Sequence, residues 1–345
     1  PPSDQALVPG LRLLVPFGRG RRIGILLALA TRTGQDPARL KCVESILDTR
    51  PLLSSVDLRL IEWAAAYYQQ PIGEALFTAL PARLRQPAPL LDERIPGVQV
   101  TPAGLILDPA TLDRAPRQRA LLTLVQTAPD GIAISALRER FGDCGGPLRA
   151  LCDKGLLTLC HLTSGSRPPP PSQPETDRPD LNPDQMQAVQ TILDALGGFR
   201  SFLLDGVTGS GKTEVYIRLI ESVIAAGRQT LVVVPEIGLT PQLRERFTQR
   251  LPGPIAVLHS ALNASERERN WHRAARGEAT LVLGTRSAVF VPLPRLGLIL
   301  VDEEHDASLK QQDGFRYSGR DLAVRRAQLA GCPVVLGTAT PSLET

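Results

Sequence analysis

The chain has 345 residues, 43% of them hydrophobic and 21% charged, which is too long for one ordinary core and fits a soluble globular protein of two or three domains. No uninterrupted apolar run approaches the roughly 20 residues of a bilayer crossing, and Pro1-Pro2-Ser3-Asp4 has neither region of a signal peptide. The expectation is therefore a cytoplasmic protein with no signal peptide, no membrane span and no membrane partner. The first residue is not Met, so the natural N-terminus is expected upstream. Net charge is +4, all of it at the front: residues 1–90 hold 11 Lys+Arg against 7 Asp+Glu, and the rest balances at 28 of each. That excess mildly favours a polyanion at the front. Cys42, Cys144, Cys152, Cys160 and Cys332 form no C-x-x-C pair, which argues against a disulfide framework or a zinc site here and predicts buried thiols.

In chain order, residues 1–90 read as a small β-rich unit followed by helices. Leu11–Phe17 and Ile23–Ala30 are strand-like, joined by a hairpin loop Gly18-Arg19-Gly20-Arg21-Arg22. Its three arginines suit a phosphate grip and a solvated turn equally. Val56, Leu60, Trp63, Ala64 and Tyr67 recur at helical spacing and predict an amphipathic helix over Ser55–Gln69, with Trp63 and Tyr67 on the core stripe. Residues 91–110 are punctuated by Pro and Gly and read as a connector. Residues 111–165 predict helices at Arg117–Thr127, Ser135–Phe141 and Gly146–Lys154 and a strand at Leu156–Leu162, the pattern of a winged helix. Residues 166–180, including Pro168-Pro169-Pro170-Pro171, read as a semi-rigid linker.

From 181 to 345, apolar runs at Ser201–Leu204, Thr230–Val234, Ile255–Leu258, Thr280–Leu283, Gly297–Val301 and Pro333–Leu336 are separated by helical stretches, predicting a mostly parallel sheet with helices on its faces. The fold class expected is thus multidomain α/β: a small β-rich front domain, a winged helix and one RecA-like P-loop lobe. The lobe carries Gly206-Val207-Thr208-Gly209-Ser210-Gly211-Lys212-Thr213, a G-x-x-x-x-G-K-[ST] loop between a strand and a helix. Its backbone N–H groups suit phosphate oxygens, Lys212 reaches the terminal phosphates of ATP, and Thr213 holds Mg2+. Asp302-Glu303-Glu304-His305 follows an apolar strand; Asp302 is expected on the metal and Glu303 on the attacking water, so Lys212, Asp302 and Glu303 are the catalytic candidates.

Together these motifs resemble the superfamily-two helicases, whose second motif is D-E-x-H. Val234–Gln242 looks like motif Ia, Gly284-Thr285-Arg286-Ser287 like motif Ib, and Thr338-Ala339-Thr340-Pro341 like motif III. Leu181–Gln185 looks like an adenine-reading Q motif with Gln185 as the contact. The resemblance implies that His305, Thr338 and Thr340 couple hydrolysis to DNA movement, and that Arg286 contacts DNA. The segments Pro235–Gln242, His259–Leu262 and Asp302–Tyr317, with Val15–Gly18, Tyr67–Gly73 and Leu76–Leu80 at the front, are similar to the PriA family of bacterial replication-restart helicases.

That resemblance implies a front domain that holds a DNA 3′ end, with Gly18 and Lys41 at its pocket, and a loop in which Phe315, Arg316 and Tyr317 sense single-stranded DNA. By residue type alone, Phe315 and Tyr317 are packing residues. It also implies branched and single-stranded DNA as partners, together with single-strand-binding protein and other primosome proteins, in a nucleoid-associated setting. The family continues past motif III with a second lobe, arginine fingers and a zinc-binding region, so zinc is expected only there. The 345 residues alone are expected to bind but not unwind. A fork-binding assembly platform with the ATP site as a switch, and a duplex translocase, are the competing readings.

Overall fold

The computed structural model describes residues 6–34, 36–87, 95–113, 115–128, 131–162, 179–207 and 209–343. Thr208 and nearly all of the expected 166–180 linker lie outside the described residues. Packing divides the chain into two units, residues 1–91 with 169–345, and residues 92–168.

The first unit opens with strand β1 (Arg12–Phe17), antiparallel to β2 (Gly20–Ile25) on one side and to β3 (Ser45–Ile46) on the other. Register pairs Phe17 with Gly20, so the turn is only Gly18-Arg19, with Gly18 at φ 60°. A two-residue hairpin turn needs such a conformation, which glycine adopts without strain. The expected five-residue loop is therefore shorter, Arg21 and Arg22 belong to β2, and the second strand ends at Ile25 rather than Ala30. Arg12 sits wholly buried in β1, its guanidinium held by both Asp48 oxygens and by the Leu84 carbonyl. Such a charge is tolerated only because its hydrogen bonds are made.

Helix α1 (Ser55–Tyr67) starts on a capping box in which Ser54 and Asp57 satisfy each other's backbone, and α2 (Ile72–Ala79) follows. The buried face of α1 is Leu58, Leu60, Ile61, Ala64 and Ala65. Trp63 is half-buried and Tyr67 is exposed, their rings stacked 4.7 Å apart, with the Arg325 guanidinium 5.4 Å from the Trp63 ring. The buried stripe is rotated from the predicted one because α1 packs on two elements, α2 and a helix near the end of the chain, which share one cluster with its Leu and Ala face.

The second unit holds β4 (Ile95–Val100), α3 (Pro102–Ile106), α4 (Pro116–Gln126), β5 (Ile132–Ala133), α5 (Ile134–Phe141), α6 (Gly145–Asp153) and β6 (Leu157–Leu162), with antiparallel order β5-β4-β6. The three predicted helices and the strand are present, as a winged helix requires. Residues 95–106, expected as connector, belong to this unit, and β4 is its central strand. Gly97 is needed there: a side chain would run into Leu162 at 2.6 Å. Val98, Leu121, Leu122, Val125, Leu137 and Leu151 form its core.

The first unit resumes with α7 (Pro183–Leu193), β7 (Ser201–Asp205), α8 (Lys212–Ala225), β8 (Gln229–Val233), α9 (Pro241–Arg250), β9 (Ile255–Leu258), α10 (Ala264–Ala275), β10 (Leu281–Gly284), β11 (Leu296–Val301), α11 (Gly319–Ala330) and β12 (Val334–Thr338). All six strands are parallel, in order β7-β12-β11-β8-β10-β9. β8 and β11 are buried at every residue, which is why their sequences are continuous apolar runs. Alternate residues split between the faces. Val232, Leu298, Leu300 and Val335 meet α8, while Leu231, Val233, Ile299, Val301 and Val334 share a core with α10, α11, α1 and α2. The expected division at residue 90 is thus not a break in packing. Tyr68 accepts from the Ser318 N–H, Arg83 pairs with buried Glu268 at 2.8 Å, and Arg326 lies 3.7 Å from Asp57. Of the cysteines, Cys144 and Cys332 are buried as expected, but Cys42 is exposed and Cys152 and Cys160 are half-buried.

Candidate nucleotide site

Because β7, β12 and β11 are neighbours and parallel, the segments that follow them emerge along one edge of the sheet. Those segments are the P-loop, the end of motif III and the D-E-E-H run. Backbone bonds lace them together: Gly206 N–H donates to Thr338 and Glu304 N–H to Gly337, while Asp302 N–H donates to Val233 at the end of β8.

In the P-loop, Gly209 and Gly211 have φ of 84° and 83°, and Gly211 caps α8. These left-handed residues turn the loop back over the start of the helix, where backbone N–H groups and the helix dipole favour an anion. Lys212 is the first helical residue, and its ammonium donates to the Gly206 carbonyl at 2.6 Å. Thr213 is half-buried beside it, while Val207 is exposed and Ser210 half-buried. Gln185 is committed at both ends of its amide. Its oxygen caps Asn182 N–H at 2.9 Å, and its nitrogen donates to the Ser210 carbonyl at 2.8 Å, fastening α7 to the loop.

The three acids differ in kind. Tyr216, one turn into α8 from Lys212, donates its hydroxyl to Asp302 Oδ1 at 2.9 Å. Burial pushes the Asp302 carboxyl up, an effect held back by the Tyr216 hydrogen bond and the Lys212 charge. Burial, then Asp302 itself, pushes the Tyr216 phenol far up, so it is a donor at any working pH. Glu303 sits at φ 46° with its side chain two-fifths exposed. Glu304 is buried: it pairs with Arg320 at 3.2 Å and accepts from Ser342 N–H at 2.8 Å. His305 Nδ1 lies 2.8 Å from Thr338 Oγ1, which also accepts from Thr340 N–H at 3.1 Å, so motifs II and III meet. The Thr213 hydroxyl and the Asp302 carboxylate are hard oxygen donors of the type Mg2+ takes when phosphates complete its shell. Asp302, buried at the end of β11 and close enough to the P-loop to feel the Lys212 charge, fits that ion with Thr213.

The DNA candidates are not brought together in this way. Gly18 and Lys41 are exposed on the front sheet unit, and Arg316 is exposed. Arg286 is spent inside the protein, on Gln311 at 2.6 Å and the Ser308 carbonyl at 2.8 Å. Phe315 and Tyr317 are 4% and 3% exposed, packed on Phe290 and Tyr68, so neither ring presents a face to a base; they pack, as their residue types alone suggest.

Two family models match, a 3′ DNA-binding domain over residues 1–81 and a DEAD/DEAH box helicase over 182–345. Replication restart protein PriA of Haemophilus influenzae is 38% identical over 354 aligned positions, covering 100% of this chain and 47% of that protein. PriA of Bacillus subtilis is 40% identical over 67% of this chain and 29% of its own length. PriA of Synechocystis is 47% identical over 57% of this chain and 24% of its own. The chain belongs to the PriA family. It spans about half the length, or less, of these PriA relatives. The match to the 3′ DNA-binding domain ends at residue 81, inside the packing that joins α2 to the lobe. Sequence reading missed Tyr216, Glu304, Arg320 and Gly337 as parts of the site. A tyrosine one turn past the P-loop lysine and a glycine in the motif III strand are the signals that could have marked Tyr216 and Gly337; Glu304 and Arg320 carry no local signal.

Proposed function

We propose that the chain is the front part of an ATP-dependent DNA helicase that translocates 3′ to 5′, recognises stalled or branched forks and starts replication restart by assembling a primosome in the cytoplasm. The observation that carries this reading is the meeting of P-loop, D-E-E-H and motif III at one sheet edge, in a chain whose first 81 residues match a 3′ DNA-binding domain. Lys212 and the loop N–H groups hold the terminal phosphates, and Gln185 stands at the adenine side. Thr213 and Asp302 hold Mg2+, which when bound offsets charge on the phosphate oxygens. Glu303, half-buried and 3.7 Å from His305 Nδ1, orients the attacking water. Thr338, between His305 and Thr340, passes the state of the phosphate to motif III. Exposed Gly18 and Lys41 contact a DNA 3′ end, and Arg316 contacts single-stranded DNA.

In this reading the 345 residues bind nucleotide and DNA but turn ATP over slowly, since the arginines that stabilise the transition state come from a second lobe. Lys212→Ala should weaken binding of a fluorescent ATP analogue about 10–100-fold, the worth of a charge-assisted contact, while forked DNA binding is kept. Loss of fork binding in that variant would merge the two sites. Fork binding that depends on a free 3′-OH but ignores nucleotide would favour an assembly platform.

A further inference from the structure

The contact between Tyr216 and Asp302 ties together three elements that no sequence motif connects. Tyr216 projects from α8, Asp302 ends β11, and Gly337 lies in β12 between them. The phenol reaches the carboxylate only because residue 337 has no side chain. A Cβ there would overlap the Tyr216 hydroxyl and come within 3.4 Å of Asp302 Oδ1. The tyrosine is 3% exposed, so its orientation is fixed by packing rather than by solvent. A hydroxyl cannot accept from a carboxylate, so it always donates, and it always occupies Oδ1. The Glu303 backbone N–H also bonds this carboxyl; the Tyr216 hydroxyl is the side-chain bond that holds Oδ1.

We propose that Tyr216 is the positioning residue of the metal-binding carboxylate: it fixes the rotation of Asp302 and thereby sets how strongly Mg2+ is held beside a nucleotide. This rests on the ATP-site reading above. The same bond makes the P-loop helix and the D-E-E-H strand sense one another, because a shift of either moves the hydroxyl relative to Oδ1. Partners that orient a metal ligand are typically worth about 10–100-fold in metal affinity.

The test measures binding of a fluorescent ATP analogue to the 345-residue chain, first in EDTA and then across a Mg2+ titration. Tyr216→Phe should leave affinity in EDTA within about twofold and raise the Mg2+ concentration for half-maximal tightening about tenfold. Gly337→Ala should raise it by a second route, because the added methyl displaces the hydroxyl. If Tyr216→Phe lowers the melting temperature, the ratio of Mg2+-dependent to Mg2+-free affinity, read at low temperature, still isolates the effect, since a merely structural loss weakens both alike. An unchanged Mg2+ requirement in Tyr216→Phe overturns the proposal while leaving the ATP site intact. Absence of nucleotide binding by the unaltered chain overturns the ATP-site reading and this inference with it.

Discussion

Three adjacent carboxylates, Asp302, Glu303 and Glu304, show how far one residue's surroundings decide its work. Glu303 is held in the left-handed region at φ 46°, a conformation that costs a non-glycine residue roughly 1 kcal/mol. Its backbone N–H bonds the buried Asp302 carboxyl, while its own carboxylate points to the half-exposed side, 3.7 Å from His305 Nδ1. Glu304, one residue on, is spent on Arg320 and Ser342. The two should therefore respond oppositely to substitution. Glu303→Gly should stabilise the chain by up to about 1 kcal/mol while removing the carboxylate. Glu304→Ala should cost about 3 kcal/mol, because Arg320 loses its buried partner and is left with Asp321, a half-exposed carboxylate 2.8 Å away. Urea unfolding followed by circular dichroism checks both; a Glu303→Gly variant less stable than the parent would mean that the side chain has a structural duty. The D-E-E-H run was legible because its chemistry fits in four consecutive residues. The division of labour within it was not, since Arg320 and Ser342 lie 16 and 38 residues away.

At the scale of the element, α10 is the helix whose inward face is least ordinary. Glu268 and Trp271 are buried on it, and Arg83 from the front of the chain neutralises Glu268. His272 sits 3.8 Å from Glu268, yet burial first, then the nearby Arg276 and Arg12, push its pKa down to about 4 against the opposing pull of Asp48. The histidine is therefore neutral at pH 7, and its approach to Glu268 is not an ion pair. Its folded pKa lies below the unfolded value near 6.5, so its contribution is full above 6.5 and is lost as pH falls toward 4, where the unfolded chain binds the extra proton. At pH 5 that loss is roughly 2 kcal/mol. His272→Gln should remove this share of the acid sensitivity: the drop in unfolding free energy from pH 7 to 5 should be smaller in the variant. Equal drops would mean the imidazole finds a proton partner that keeps its pKa ordinary. Helices α1, α4, α5 and α6 could be read from helical spacing and segment pattern, and the six lobe strands from continuous apolar runs, because burial on both faces of a parallel sheet leaves a local mark. Phe315 and Tyr317 could be read only halfway: residue type marked them as packing, but their partner Tyr68 is some 250 residues distant and no local pattern points to it. Strand β4 was hidden by Pro96 and Gly97, which usually mark a connector and here fit a crowded central strand.

For the whole molecule, the consequence of the shared core is cooperative. Leu58, Ile61, Ala65 and Leu76 from the front helices lie in the same cluster as Trp271, Val289, Phe290 and Leu322 of the lobe, with the Asp57–Arg326 and Arg83–Glu268 pairs closing its margin. A terminal module on a tether would unfold by itself; elements that share one core do not. The chain holds two tryptophans, and they fall on opposite sides of the boundary that sequence reading drew, Trp63 in α1 and Trp271 in α10. Trp63→Phe leaves a reporter only in the lobe, and Trp271→Phe leaves one only in the front segment. Because each variant also shifts stability, each emission curve is compared with the far-ultraviolet dichroism of the same variant, normalised over the transition. In both, emission should change at the same urea midpoint as the helical signal of this unit, with one common slope. A front reporter that melts at lower urea than the dichroism of its own variant would restore a separable front domain, and would mean that the apolar contact between α1, α2 and the lobe is a docked surface rather than a core.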